Sequence, residues 1–220
     1  MRKKTLLFVG CLLTAALLAS TNSWAGDRVM YKITISNLTP GQPLAPIMAA
    51  THRPGISFFE VGEAPSDELA MLAEAGNGTP MAEKLLATPG VRDAQVSTGG
   101  LTFPGNSTTM TVSAKRGWDH ISIGAMLGAT NDAFFAVQDV PLPIVRSVTY
   151  VANAYDAGSE TNDELSSTVA GLGGEGYSPD DAGEGFVHIH SGIHGIGDAD
   201  PAQLDWRNPV AKIVIERMYH

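Results

Sequence analysis

Between Val29 and Ser36 apolar and polar positions alternate, with Val29, Tyr31, Ile33 and Ile35 on one side and Lys32, Thr34 and Ser36 on the other. A period of two predicts a strand with one face buried. Leu38 to Ile47 carries Pro40, Gly41, Pro43 and Pro46, which remove ladder donors and predict a loop or sheet edge. The pattern then turns helical. Ser66 is placed to cap a helix over Asp67 to Ala75 that Gly76 ends, and Thr79-Pro80 opens a second one running to Ala87. Leu69, Leu72, Ala73, Leu85 and Leu86 are expected to face the core.

Strand patterns return at Ser107 to Ala114, His120 to Met126, Phe134 to Val137, Ser147 to Tyr155, Phe186 to His190 and Val210 to Arg217. The last carries apolar residues on both faces near its middle, which predicts cover on both sides there. Gly171 to Gly185 is expected to be a long flexible loop. Strands separated by glycine- and proline-rich turns, one short helical insertion and no βαβ alternation predict an all-β chain folded as an antiparallel β-sandwich.

The N-terminus changes the picture of where this fold works. Met1-Arg2-Lys3-Lys4, an apolar run from Leu6 to Ala19 and the small-x-small Ser23-Trp24-Ala25 form a secretory signal peptide pattern over residues 1–25. The expectation is cleavage after Ala25, a single domain over 26–220, a secreted or periplasmic location and no transmembrane segment in the mature chain. Cys11 is the only cysteine, so the mature chain has no disulfides although its compartment would permit them. A formal charge of −9, more negative still once Arg2, Lys3 and Lys4 are removed, argues against a nucleic-acid partner and leaves room for a divalent cation.

Two groups of residues carry candidate chemistry. Asp156, Glu160, Asp163 and Glu164 follow a strand end, and Asp132 sits in a turn between two strands. Loops gather at the two ends of a sandwich, and calcium takes six to eight oxygen ligands from just such carboxylates and carbonyls. The spacing Asp156-Ala157-Gly158-Ser159-Glu160 could fold two carboxylates round one ion, though from spacing alone a merely solvated acidic loop is the commoner case. His188, His190 and His194 form the second group. Alternate residues of a strand share a face, so the first two, with the third from the next turn, could hold zinc or copper as an alternative metal site or a metalloenzyme centre. Histidines that cap a turn are the commoner case here too. No nucleophile elbow and no phosphate loop is present, and the chain is expected not to be an enzyme.

Thr130-Asn131-Asp132-Ala133-Phe134-Phe135, Tyr155-Asp156-Ala157-Gly158-Ser159-Glu160, Glu184-Gly185-Phe186-Val187-His188-Ile189-His190 and Asp205-Trp206-Arg207-Asn208-Pro209-Val210-Ala211 together resemble the successive motifs of the spondin domain in its bacterial secreted form. The resemblance extends over nearly all of the mature chain. It implies a Greek-key β-sandwich similar to the calcium-dependent membrane-binding sandwich domains, with a calcium ion at one end. The family's ligand positions fall on Asp132, Asp156 and Glu160, the last a glutamate where animal members tend to have aspartate. It further implies a non-enzymatic role in adhesion, matrix or cell-surface interaction, with a cell-surface, matrix or anionic partner. The cysteines and thrombospondin-type repeats of the animal proteins are missing, so functions that depend on them do not transfer.

Overall fold

A computed structural model describes residues 28–219 except Ala182; the expected signal peptide lies outside the described residues. Among the described residues nine strands, β1 (Val29–Asn37), β2 (Met48–His52), β3 (Val91–Val96), β4 (Ser107–Ala114), β5 (His120–Met126), β6 (Ala133–Pro141), β7 (Ser147–Asp156), β8 (His188–Ile189) and β9 (Ala211–Arg217), pair antiparallel throughout. The order is β3-β2-β5-β6-β7-β9-β1-β4, with β8 beside β7. β7 joins two layers: Ser147 to Ala152 pair with β9, whereas Asn153 to Asp156 pair with β6. At the far edge Thr51 Oγ1 donates to Ser113 O at 2.6 Å and Ser113 N–H to Asp93 Oδ2 at 2.6 Å, which nearly closes the sandwich by tying β4 to β2 and β3.

The alternation of β1 puts Tyr31, Ile33 and Ile35 into the core between the layers, with Val112, Ile121, Ile123, Phe135, Ile213 and Ile215. A second core lies on the outer face of β2, β5 and β6, under helices α1 (Asp67–Ala75) and α2 (Thr79–Ala87). Ser66 Oγ accepts from Leu69 N–H, and Gly76 ends α1 in the left-handed conformation at φ 63°. Leu69, Leu72, Ala73 and Leu85 are buried, but Leu86 is exposed, because it lies one residue off the stripe that meets β2 and β3.

Other expectations are corrected. β2 and β3 arise in segments with no strand pattern. All five residues of β2 are buried, since the inter-layer core covers one face and the helices the other, so no alternation survives. The expected strand Phe186 to His190 shrinks to two residues, and β6 runs on to Pro141. β9 buries Ala211, Ile213 and Ile215 on one face only, with Lys212 exposed and Val214 half-buried on the other. Gly171, read as part of a flexible loop, sits in a 3-10 turn, Ala170–Leu172. A Cβ there would come within 2.0 Å of Gly128 O, so the glycine serves close backbone packing. A four-residue helix α3 (Pro201–Leu204) precedes β9.

Candidate functional site

Asp132, Asp156 and Glu160 meet at one end of the sandwich. Thr130 Oγ1 accepts from Ala133 N–H (3.1 Å) and donates to Leu127 O (2.6 Å), folding the β5–β6 turn that holds Asp132. Ala133 is the register partner of Asp156, so the aspartate closing β7 lies next to that turn. The chain then doubles back. Asp156 Oδ1 accepts from Gly158 N–H at 2.8 Å, and Asp132 Oδ2 accepts from the N–H groups of Ser159 (2.8 Å) and Glu160 (3.1 Å). Gly158 has φ 66°, and a Cβ on it would stand 2.3 Å from Phe186 O, so glycine is required there for both conformation and space.

These carboxylates differ sharply in how they are satisfied. Glu164 and Asp163, from the same acidic stretch, are anchored: Glu164 accepts from the backbone N–H groups of His194, Gly195 and Ile196 at 2.6, 2.7 and 3.0 Å. Asp163 Oδ1 takes bonds from Leu165 N–H, Thr168 Oγ1 and Asn131 Nδ2. Their role is to pin loops. Asp132 Oδ1 and both oxygens of Glu160 are instead buried with no hydrogen-bond partner, although the two residues are only 0% and 1% exposed. Burial, then the Asp156 charge, pushes the Asp132 carboxyl well above its ordinary value. Burial, then Glu74 and Asp132, pushes Glu160 up to about 8.

Glu74, on α1, was not singled out in the sequence. It is 1% exposed, its Oε2 accepts from Ser178 N–H at 2.7 Å and its Oε1 is buried without a partner. Burial raises its pKa as well. The signal was present: Glu74 lies four residues after buried Ala70, on a helix side that packs rather than one that faces water. It lines a cavity of about 220 Å³ with Gly158, Ser159, Ser178 and Asp181. An uncompensated anion in such surroundings costs several kcal/mol, so this end must take up protons or a cation. Carboxylate oxygens alone suit a hard cation such as calcium. Among the described residues no three His, Cys, Asp or Glu side chains form a ready-made metal cage; the carboxylates are gathered but not closed round a point.

The histidines converge on the same aspartate. His188 Nε2 and His190 Nε2 lie 3.8 and 3.7 Å from Asp156 Oδ2. His190 Nδ1 accepts from Gly192 N–H at 3.0 Å, so in the neutral ring the proton is on Nε2 and no lone pair faces outward there. Burial lowers its pKa and keeps it neutral. His188 has the opposite tautomer, since its Nδ1 faces Phe186 O at 3.2 Å and must donate. Nε2 of His188 is therefore open to a metal, whereas that of His190 is not. His194 is exposed, and its backbone N–H is held by Glu164.

One further pairing has the form of a nucleophile and base: Ser122 Oγ lies 2.8 Å from His52 Nε2, with Asp139 Oδ1 3.9 Å from Nδ1. Both Ser122 and His52 are completely buried. His52 Nδ1 donates to Arg53 O at 2.8 Å, and Ser122 Oγ accepts from Asp139 N–H at 3.1 Å, so the cluster stitches β2, β5 and β6 together beneath the surface.

Fold and site define a class, an antiparallel sandwich with an uncompensated carboxylate cluster at one tip. No family model matches the chain, and no curated protein matches it.

Proposed function

We propose that the protein is a secreted, non-enzymatic calcium-binding domain of the spondin type, whose ion is held by Asp132, Asp156 and Glu160 with help from Glu74. The observation that carries this reading is the set of buried carboxylate oxygens without partners, Asp132 Oδ1 and both oxygens of Glu160. The resemblance in motif order points to the same three residues, and calcium's tolerance of irregular coordination suits a cluster that is gathered but open. The ion supplies positive charge. The chain supplies the frame: Asp132 fixes the 159–160 backbone, Gly158 allows the reversal, and Asn131 clasps the acidic stretch that follows. Rigid loops at this tip would then present a surface to an adhesion, matrix or cell-surface partner.

Zinc or copper on His188, His190 and His194 is the weaker reading, because the tautomer of His190 removes one ligand. Titration calorimetry of metal-free protein separates the two. Calcium should bind with one equivalent and be lost in Glu160→Gln, with zinc weaker. One equivalent of tight zinc that is lost in His188→Ala, with no heat from calcium, would overturn the calcium assignment.

A further inference from the structure

Opposite the carboxylate tip, the chain concentrates its cations. The β4–β5 turn brings Lys115 and Arg116, Arg53 follows β2, Arg146 precedes β7, Arg217 ends β9 and Arg28 precedes β1. The strand registers set all of these at one end: Val29 faces Ala114, Tyr31 faces Arg217, and His120 faces both His52 and Pro141. Asp119, Asp139, Asp93 and Glu216 are acids at this end; Asp93 is held by Ser113 N–H at 2.6 Å and Glu216 is paired with Lys32 at 3.3 Å. In a chain of formal charge −9, such a cationic end is a segregation of charge along the long axis of the sheet.

The same end exposes apolar side chains. Ile144 is 81% exposed, Val145 68% and Tyr219 66%, and Met218 is exposed beside them. Single exposed aliphatics need no explanation, but these stand together: Arg146 N–H donates to Tyr219 Oη at 3.0 Å, and Arg217 N–H donates to Arg146 O at 2.8 Å. Trp118 carries two cations over its ring, Lys115 Nζ at 3.9 Å and Arg53 Cζ at 4.0 Å from the centroid. Beside it opens a cavity of about 370 Å³ lined by Tyr31, Arg116, Leu142, Ile144 and Arg217.

We infer that this basic, apolar-tipped end docks on an anionic lipid bilayer, with Ile144 and Val145 entering the headgroup–acyl boundary and Lys115, Arg116, Arg146 and Arg217 meeting the anionic headgroups. A small soluble anion would satisfy the cations and leave the apolar tip in water. A bilayer satisfies both, because amphipathic docking combines buried apolar area with attraction to anionic lipid. Tyr219 and Trp118 have the half-apolar, half-polar rings suited to that depth. The surface is at the far end from Asp132, so the binding is independent of calcium and stands whether or not the metal reading does.

Vesicle sedimentation tests this. Purified protein is spun with phosphatidylcholine vesicles and with vesicles containing phosphatidylglycerol, in chelator and in calcium. The expected result is pelleting with the anionic vesicles alone, equally in both media, and release as salt rises from about 0.05 to about 0.5 M. Ile144→Asp with Val145→Asp, and separately Lys115→Glu with Arg116→Glu, should each lower the partition at least about tenfold while keeping the wild-type circular dichroism spectrum. Failure to pellet with anionic vesicles in chelator would overturn the inference, and so would pelleting that needs calcium or that survives both double variants. Salt-sensitive self-association without lipid, removed by Lys115→Glu with Arg116→Glu, would give the end to a second copy of the chain and equally overturn it.

Discussion

Glu160 is the residue at which burial and charge are in open conflict. Its carboxylate is held near the bottom of an acidic tip by a backbone that Asp132 clamps, and it gives up its proton only at about 8. Glu160→Gln keeps the shape and removes the charge. In chelator at pH 8.5 the variant should therefore melt higher than wild type, whereas the response to calcium disappears; scanning calorimetry of both proteins checks this. Gly158 is constrained by geometry instead. Gly158→Ala meets Phe186 O at 2.3 Å in a left-handed backbone, and should cost about 2 kcal/mol or more by urea denaturation. Neither residue stands out by type. Glutamate and glycine are ordinary in an acidic loop, and what singles these two out is where the chain returns on itself.

Elements with a clean period were the legible ones. β1 could be read because one face of it meets the core and the other stays polar, and α1 could be read because Ser66 and Gly76 bracket an apolar stripe. β2 could not, since a strand covered on both faces has no alternation to show, and β3 could not, since Arg92, Asp93 and Gln95 give it the composition of a surface turn. The candidate site was legible in part. Asp132, Asp156 and Glu160 belong to a group of loop acids that spacing alone did not separate from Asp163 and Glu164, and the resemblance in motif order singled them out, whereas Glu74 is hidden in a helix whose acidic residues look solvated. The contrast between Leu72 and Leu86 tests the element-scale reading. Leu72→Ala should lose about 2–4 kcal/mol of unfolding free energy because it empties the core under α1, while Leu86→Ala, on an exposed face, should change it by less than about 0.5 kcal/mol.

For the whole molecule, the buried histidines and the buried carboxyls make opposite demands, and stability should record this as a function of pH. Burial lowers the pKa of His52 and of His190, so the unfolded chain takes up protons there that the folded one refuses, and the contribution of these two groups to stability falls below about 6.5. Glu160 works in the other sense. With its pKa raised from 4.5 to about 8, it binds a proton in the folded state that the unfolded chain has lost, so its contribution is complete below 4.5 and disappears as pH climbs to about 8. Between 6.5 and 8 the histidines are neutral in both states and the carboxylates remain, Asp132 acting in the same sense as Glu160. The melting temperature in chelator should then decline from pH 6.5 toward pH 8. A bound cation displaces that proton and stabilises the folded state by mass action, so the shift produced by calcium should grow over the same window.

The most direct measurement is the melting temperature at pH 8 in millimolar calcium against chelator, for the wild type and Asp132→Asn. The carboxylate cluster predicts a clear upward shift for the wild type that the variant loses. Superimposable wild-type curves in the two media would contradict it.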